Sequence, residues 1–152
     1  MKALLTEAER QLVTTARSAT LGTIARDGRA RLVPICFVVV DDLVWSPLDE
    51  KPKSVDDVRS LARVRDIERD SRVTLLVDRW SEDWTELAWL RIDGRAAVVD
   101  PETNVIAALR AKYAQYADHD LESRPLIRIE IDDVRSWAAS PADGDAPRRR
   151  VQ

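Results

Sequence analysis

Histidine and cysteine each occur once in the 152 residues, as His119 and Cys36. With one histidine, a His-based zinc site and a Ser-His-Asp relay are both hard to build. One cysteine excludes an internal disulfide and a thiolate metal cluster; its neighbours Ile35, Phe37 and Val38 mark it as a structural thiol, with the cytosol as the default setting. No stretch approaches the roughly 18 to 20 apolar residues that span a bilayer, and the charged start lacks the apolar core of a signal peptide. A cytoplasmic protein with no membrane partner is the expectation. Nor is there a basic excess: 24 Lys and Arg stand against 27 Asp and Glu, a net charge of −3, so no global field favours nucleic acid. Any anion site must be local. A chain this poor in self-sufficient catalytic groups points, if it is an enzyme, to a borrowed cofactor.

What is present reads as one domain over residues 1–137 with a flexible tail over 138–152, where Pro141, Gly144 and Pro147 stand among small and charged residues. Thr6 and Glu9 have capping-box spacing, and Leu5, Ala8, Leu12, Val13 and Ala16 share one face of a first helix. Ala19 to Ala25 alternates as a strand, Asp27-Gly28 marks a hairpin turn, and Arg29 to Val40 reads as one long second strand. Pro34 requires that strand to carry a bulge or lie at an edge. Asp41-Asp42 turns the chain into a third strand, Leu43 to Ser46, followed by a charged, proline-bearing loop.

A second helix begins at Ser54, with Asp57 in capping spacing, and runs through Val58, Leu61, Ala62, Val64 and Ile67. Arg72 to Asp78 has the composition of a strand buried on both faces. In Glu86 to Val99, Leu90, Ile92, Gly94, Ala96 and Val98 face a core, while Trp89, Arg91, Asp93 and Arg95 face outward. Pro101 opens a third helix reaching about Ala117, and a last strand covers Leu126 to Ile131. The sum is an α+β, mainly β fold: a six-stranded antiparallel split barrel with flanking helices.

Two groups carry possible chemistry. Lys51, Lys53, Arg63 and Arg65 lie along the loop and helix before the strand Arg72 to Asp78 and supply the cations that phosphate recognition needs; read as surface, they are a solvated face interleaved with Asp56, Asp57, Asp66 and Glu68. Trp80, Trp84 and Trp89 crowd into one stretch of a chain with one Phe and two Tyr. Indoles stack on planar rings, form an apolar dimer seam or fill a core, and on an outward strand face beside Arg91 a symmetric second subunit is the simplest cover.

The stretches LGTIARDGRARLVPICFVV, LVWS, RVRDIERDSRVTLLVD and EDWTELAWLRIDGRAAVV resemble the FMN-binding split-barrel proteins related to pyridoxamine 5′-phosphate oxidase, in particular the actinobacterial branch of deazaflavin-dependent oxidoreductases. The resemblance implies a homodimer with cofactor sites between subunits. It implies that Arg31, Leu32, Val33 and Pro34 line the ring system, with Trp45 and Ser46 at the end of the third strand. The phosphate-binding cation falls on Arg63 if no gap is allowed; the longer preceding loop makes Lys51 and Lys53 the other choice, alone or with Arg63. Trp84 and Trp89 then come from the partner subunit, near the ring or the substrate, and Arg91 is a candidate for substrate or tail contacts. The implied activity is hydride transfer between coenzyme F-420 and a small conjugated or heterocyclic molecule. FMN as the cofactor, and a non-catalytic carrier role, stand as the other readings. No proton donor is identified.

Overall fold

The computed structural model describes residues 4–48, 61–139 and 149–150. Lys51, Lys53, the expected helix start at Ser54 and most of the expected tail lie outside the described residues. Helix α1 (Glu7–Thr15) opens with the expected capping box: Thr6 accepts from the Glu9 backbone while Glu9 accepts from that of Thr6. Strands β1 (Ala19–Ile24) and β2 (Ala30–Ile35) form a hairpin. In its turn Gly28 has φ +87°, a conformation that disfavours any side chain.

The expected strand from Arg29 to Val40 is two strands. The chain leaves β2 after Ile35 and enters β3 (Val38–Val40), which pairs with β4 (Leu43–Pro47) on the far side of the sheet. Phe37, fully buried between them, pins the break: its amide donates to the Tyr113 hydroxyl at 3.1 Å. Pro34 sits on an edge strand, as its missing donor requires. Asp41 and Asp42 make the β3–β4 turn with φ of 55° and 59°, the left-handed pair that a two-residue hairpin connection demands.

Helix α2 (Ala62–Arg69) leads into β5 (Arg72–Arg79), and β6 (Ala88–Val99) follows a 3-10 turn at Trp84–Glu86. Strand β5 is not buried on both faces: Val73, Leu75 and Val77 point inward while Arg72, Leu76 and Asp78 are exposed. Helix α3 (Thr103–Lys112) stops before the expected Ala117 because Tyr113 is extended, at φ −123° and ψ 106°, its ring buried; a 3-10 turn carries on over Ala114–Asp118. The last long strand, β7 (Leu126–Ala138), continues past Ile131 by pairing with β6 along its length, with a register shift at Asp93/Gly94. Gly94 is required there, since a Cβ would meet the Glu130 carbonyl oxygen at 2.1 Å.

Seven strands therefore make one unclosed antiparallel sheet in the order β2-β1-β5-β6-β7-β4-β3, with β8 (Arg149–Arg150) added to β7. The expectation of six strands fails at the β2–β3 break, because buried Phe37 turns the chain from one edge of the sheet to the other. One core, around Leu21, Leu75, Leu90, Ile92 and Ile129, fills the sheet's inner side beneath α1 and α2. A second, around Trp45, Leu109, Tyr113 and Tyr116, lies under α3.

Candidate functional site

Asp66 organises a cluster of charged side chains where α2 meets β1 and β2. It lies on the packed side of α2 beside Val64 and Ile67, and only 3% of its side chain is exposed. One carboxylate oxygen accepts from Thr23 Oγ1 and Arg31 Nε, each at 2.7 Å, and the other accepts from Arg69 Nη2 at 2.9 Å. Arg69 also donates to the Ile24 carbonyl at 2.8 Å, tying α2 to the end of β1. Burial alone raises the Asp66 pKa, but the hydrogen bonds from Arg31, Thr23 and Arg69 together outweigh it and hold the carboxyl below its ordinary value. Two guanidinium groups are thus fixed by a carboxylate that solvent hardly reaches.

Around this hub lies an open cavity of about 500 Å³ lined by Arg26, Arg31, Arg65, Asp66, Glu68 and Arg69. Four arginines against two carboxylates leave the lining with a net charge of +2, in a chain whose overall charge is −3. Such a lining attracts anions locally, which the global charge does not.

A second open cavity, also about 500 Å³, lies across β2 from the first, on the outer face of the sheet; Gly22, Ile24, Ala30, Leu32, Thr74 and Asp93 are among its lining residues. Thr74 donates to Asp93 at 2.7 Å and orients that carboxylate. The outer face continues through Leu76 to Trp89, Arg91 and Trp137. Exposed apolar side chains stand on it among the charged ones, Leu32 at 68% and Leu76 at 38% exposure, and Trp84, in the turn before β6, is 70% exposed. The Arg91 guanidinium lies 5.7 Å from the Trp89 ring centroid, within cation-π range.

The structure distributes the residues expected at the site over three places. On β2 the pleat sends Arg31 to α2, and Val33 packs against the core, while Leu32 and Pro34 are exposed on the other face, so the four do not line one surface. Trp89 and Arg91 share the outer face with Leu32 and Pro34 but stand three strands away, roughly 14 Å at about 4.8 Å per strand. Trp45 and Ser46 face the interior: the Trp45 indole donates to Val40 at 3.1 Å and the Ser46 hydroxyl to Cys36 at 2.8 Å. Arg63 is half-buried in the first turn of α2. Lys51 and Lys53 lie outside the described residues. Reading the charges of α2 as a solvated face missed the Asp66 hub. The signal was its place between Val64 and Ile67, both of which the helical pattern assigns to the core.

With this geometry in place, the comparison with known families is decisive: residues 5–138 match the model of the family described as pyridoxamine 5′-phosphate oxidase. The chain belongs to that family. It is a flavin-binding family that contains oxidoreductases. No curated protein matches the chain. Among solved structures it is similar to a conserved hypothetical protein of Mycobacterium tuberculosis, at 22% identity and a TM-score of 0.72, covering 100% of this chain and 96% of that one. It is similar to the heme storage protein HutZ of Vibrio cholerae, at 15% identity and a TM-score of 0.66 over 87% of this chain and 93% of that one. It is also similar to an F420 reductase, at 16% identity and a TM-score of 0.63 over 86% of this chain and 98% of that one. At these identities the likeness is one of fold. Among the described residues no helix is long and apolar enough to cross a membrane, and no group of His, Cys, Asp and Glu is arranged to hold a metal ion.

Proposed function

We propose that this family member is a homodimeric oxidoreductase that uses a deazaflavin coenzyme, F-420, to move a hydride to or from a small conjugated or heterocyclic substrate. The observation that carries the reading is the arginine-lined cavity built on buried Asp66, separated only by edge strand β2 from an open, largely apolar sheet face. The residues present fit a coenzyme that is anionic at one end and flat and apolar at the other. Arg65 and Arg26, with the free faces of Arg31 and Arg69, would hold a phosphate; Arg63, Lys51 and Lys53 remain proposed contributors. Leu32 and Pro34 would pack against the ring, and Trp84 and Trp89 of the partner subunit would close the cleft and exclude water. A second subunit is needed because one chain leaves these groups strands apart. The coenzyme supplies the hydride chemistry; the chain binds, orients and dries it.

FMN is a second reading, favoured by the family's flavin binding, and the heme storage neighbour favours a third, a carrier without catalysis. Titrating the purified protein with F-420 and with FMN, read by tryptophan quenching, separates the first two. Tight FMN binding without F-420 binding overturns the deazaflavin reading. A bound, reduced coenzyme that transfers hydride to none of a broad acceptor panel favours the carrier. Arg65→Ala is expected to weaken coenzyme binding by about 1.5–3 kcal/mol, the value of a hydrogen bond to a charged group; a change within about 0.5 kcal/mol removes Arg65 from the site.

A further inference from the structure

A glycine opens a hollow in the outer face of the sheet. Register sets four residues in one row across adjacent strands: Leu32 of β2 opposite Gly22 of β1, Gly22 opposite Thr74 of β5, and Thr74 opposite Asp93 of β6. Gly22 therefore leaves bare backbone between Leu32 and Thr74, which stand two strand spacings, roughly 10 Å, apart. A Cβ at Gly22 would meet Leu32 Cδ2 at 3.2 Å and the Thr74 carbonyl oxygen at 3.4 Å. The row runs through the open cavity of about 500 Å³ on this face, to which Ile24 and Ala30 add apolar wall.

The charges lining that cavity are not equally matched. Arg72 donates Nε and Nη2 to the two oxygens of Asp70, at 3.1 and 2.7 Å. Asp132 accepts from Arg95 at 3.1 Å. The Asp93 carboxylate accepts from the neutral Thr74 hydroxyl at 2.7 Å, and no cation pairs with it among the described residues. The arginines two residues away on its own strand are turned elsewhere, Arg91 over Trp89 and Arg95 to Glu130 and Asp132. Opposite it on β7 is another carboxylate, Asp133, itself beside Arg135 at 3.3 Å. Leu32 thus bounds the hollow on one side and an aimed, uncompensated carboxylate on the other.

We infer that this hollow binds a planar nitrogen heterocycle carrying positive charge, laid flat on Gly22 between Leu32 and Thr74 with its N–H edge against Asp93. Each part answers to one property of the ligand. Bare backbone lets a flat ring come into contact where a side chain would hold it off. Leu32, 68% exposed, gains from being covered. A carboxylate aimed by a neutral donor favours a cation over its neutral counterpart through a charge-assisted hydrogen bond. The arginine-lined cavity across β2 has the opposite polarity, so the two cavities sort ligands by charge. Leu32 belongs both to this hollow and to the ring seat proposed above, which puts the heterocycle beside the coenzyme. That it is the substrate of hydride transfer rests on the proposed function; Gly22 and Asp93 then select among heterocyclic substrates.

The test is calorimetric titration of the full chain with two probes of one shape: 4-aminoquinoline, a cation at pH 7, and neutral quinoline. Wild type is expected to bind the cation at least about tenfold more tightly, the scale of one charge-assisted hydrogen bond. Asp93→Asn keeps the shape and is expected to abolish that preference. Gly22→Ala raises the floor, since only the flexible end of Leu32 must give way, and is expected to weaken both probes by about tenfold. A wild type without the preference, an Asp93→Asn protein that keeps it, or unchanged affinities in Gly22→Ala overturns the inference. If Asp93→Asn lacks a cooperative melt, Thr74→Val replaces it, removing the bond that aims the carboxylate; the preference is then expected to fall, and an unchanged one overturns the inference. Coenzyme titration of the same proteins keeps the two readings apart. Cation preference that depends on Asp93 in a chain binding neither F-420 nor FMN removes the proposed function and leaves the site standing, whereas coenzyme binding without the preference does the opposite.

Discussion

Replacing Asp66 by Asn tests whether the buried carboxylate builds the cationic site. The substitution keeps the shape and removes the charge. With its amide oxygen placed to accept from Thr23 and Arg31, the new amide nitrogen faces the Arg69 donor, so one hydrogen bond becomes a donor facing a donor. Removing one partner of a buried charge pair costs about 3–5 kcal/mol when the other is left buried. Here the arginines are 43% and 36% exposed in their side chains and can turn to water, which reduces the expected loss to about 2–3 kcal/mol. For a domain of this size that lowers the melting temperature by roughly 4–10 °C.

The pH dependence is specific as well. The folded pKa of Asp66 lies below the unfolded value of about 3.9, so the unfolded chain takes up the proton first on acidification. The carboxylate's contribution is complete above the unfolded pKa and is lost as pH falls through the folded one. Calorimetry of wild type and Asp66→Asn at pH 7 and at successively lower pH should therefore show the difference in stability shrinking below about pH 4. A difference under about 0.5 kcal/mol at pH 7, or one that does not change with acid, refutes the assignment.

Gly94→Ala should cost about 3 kcal/mol, the upper end of overpacking penalties, because the added methyl meets the rigid Glu130 backbone; a thermal melt within 2 °C of wild type would show that the bulge has room. Lys112 donates to the carbonyls of Val13 and Phe37, each at 3.0 Å, and its ammonium lies 3.8 Å from the Phe37 ring centroid, while burial pulls its pKa down to about 8. Because the folded pKa is the lower one, the unfolded state holds more protons between about pH 8 and 10.5, and stability from this group rises with pH there. Relative to Lys112→Met, wild type should gain about 1–2 kcal/mol over that range, the full shift being discounted for a group that solvent still partly reaches; equal denaturation profiles at pH 7.5 and 10 count against it.

Much of the fold was legible because it rests on local pattern. The Thr6 capping box, the Asp27-Gly28 and Asp41-Asp42 turns, the edge position of Pro34 and the two faces of β6 all follow from neighbours a few residues apart, and all are found. The family, too, was readable from the order of its motifs. The break between β2 and β3 was not legible, because Val38 to Val40 continues the same β-forming composition across it. What divides the strand is Tyr113, reaching Phe37 from 76 residues away. The end of α3 has the same cause.

At the candidate site the division is sharper. The sequence by itself determined that any anion site must be local, since the net charge is negative, and that arginines near α2 were available for it. Only the tertiary structure decided which of them converge. Arg31 is 35 residues from Asp66 and Thr23 is 43 away, and no periodicity relates positions on a strand to a helix that packs against it later. Local sequence decides which backbone conformations are cheap, whereas the pairing of distant charges is decided by how the sheet aligns.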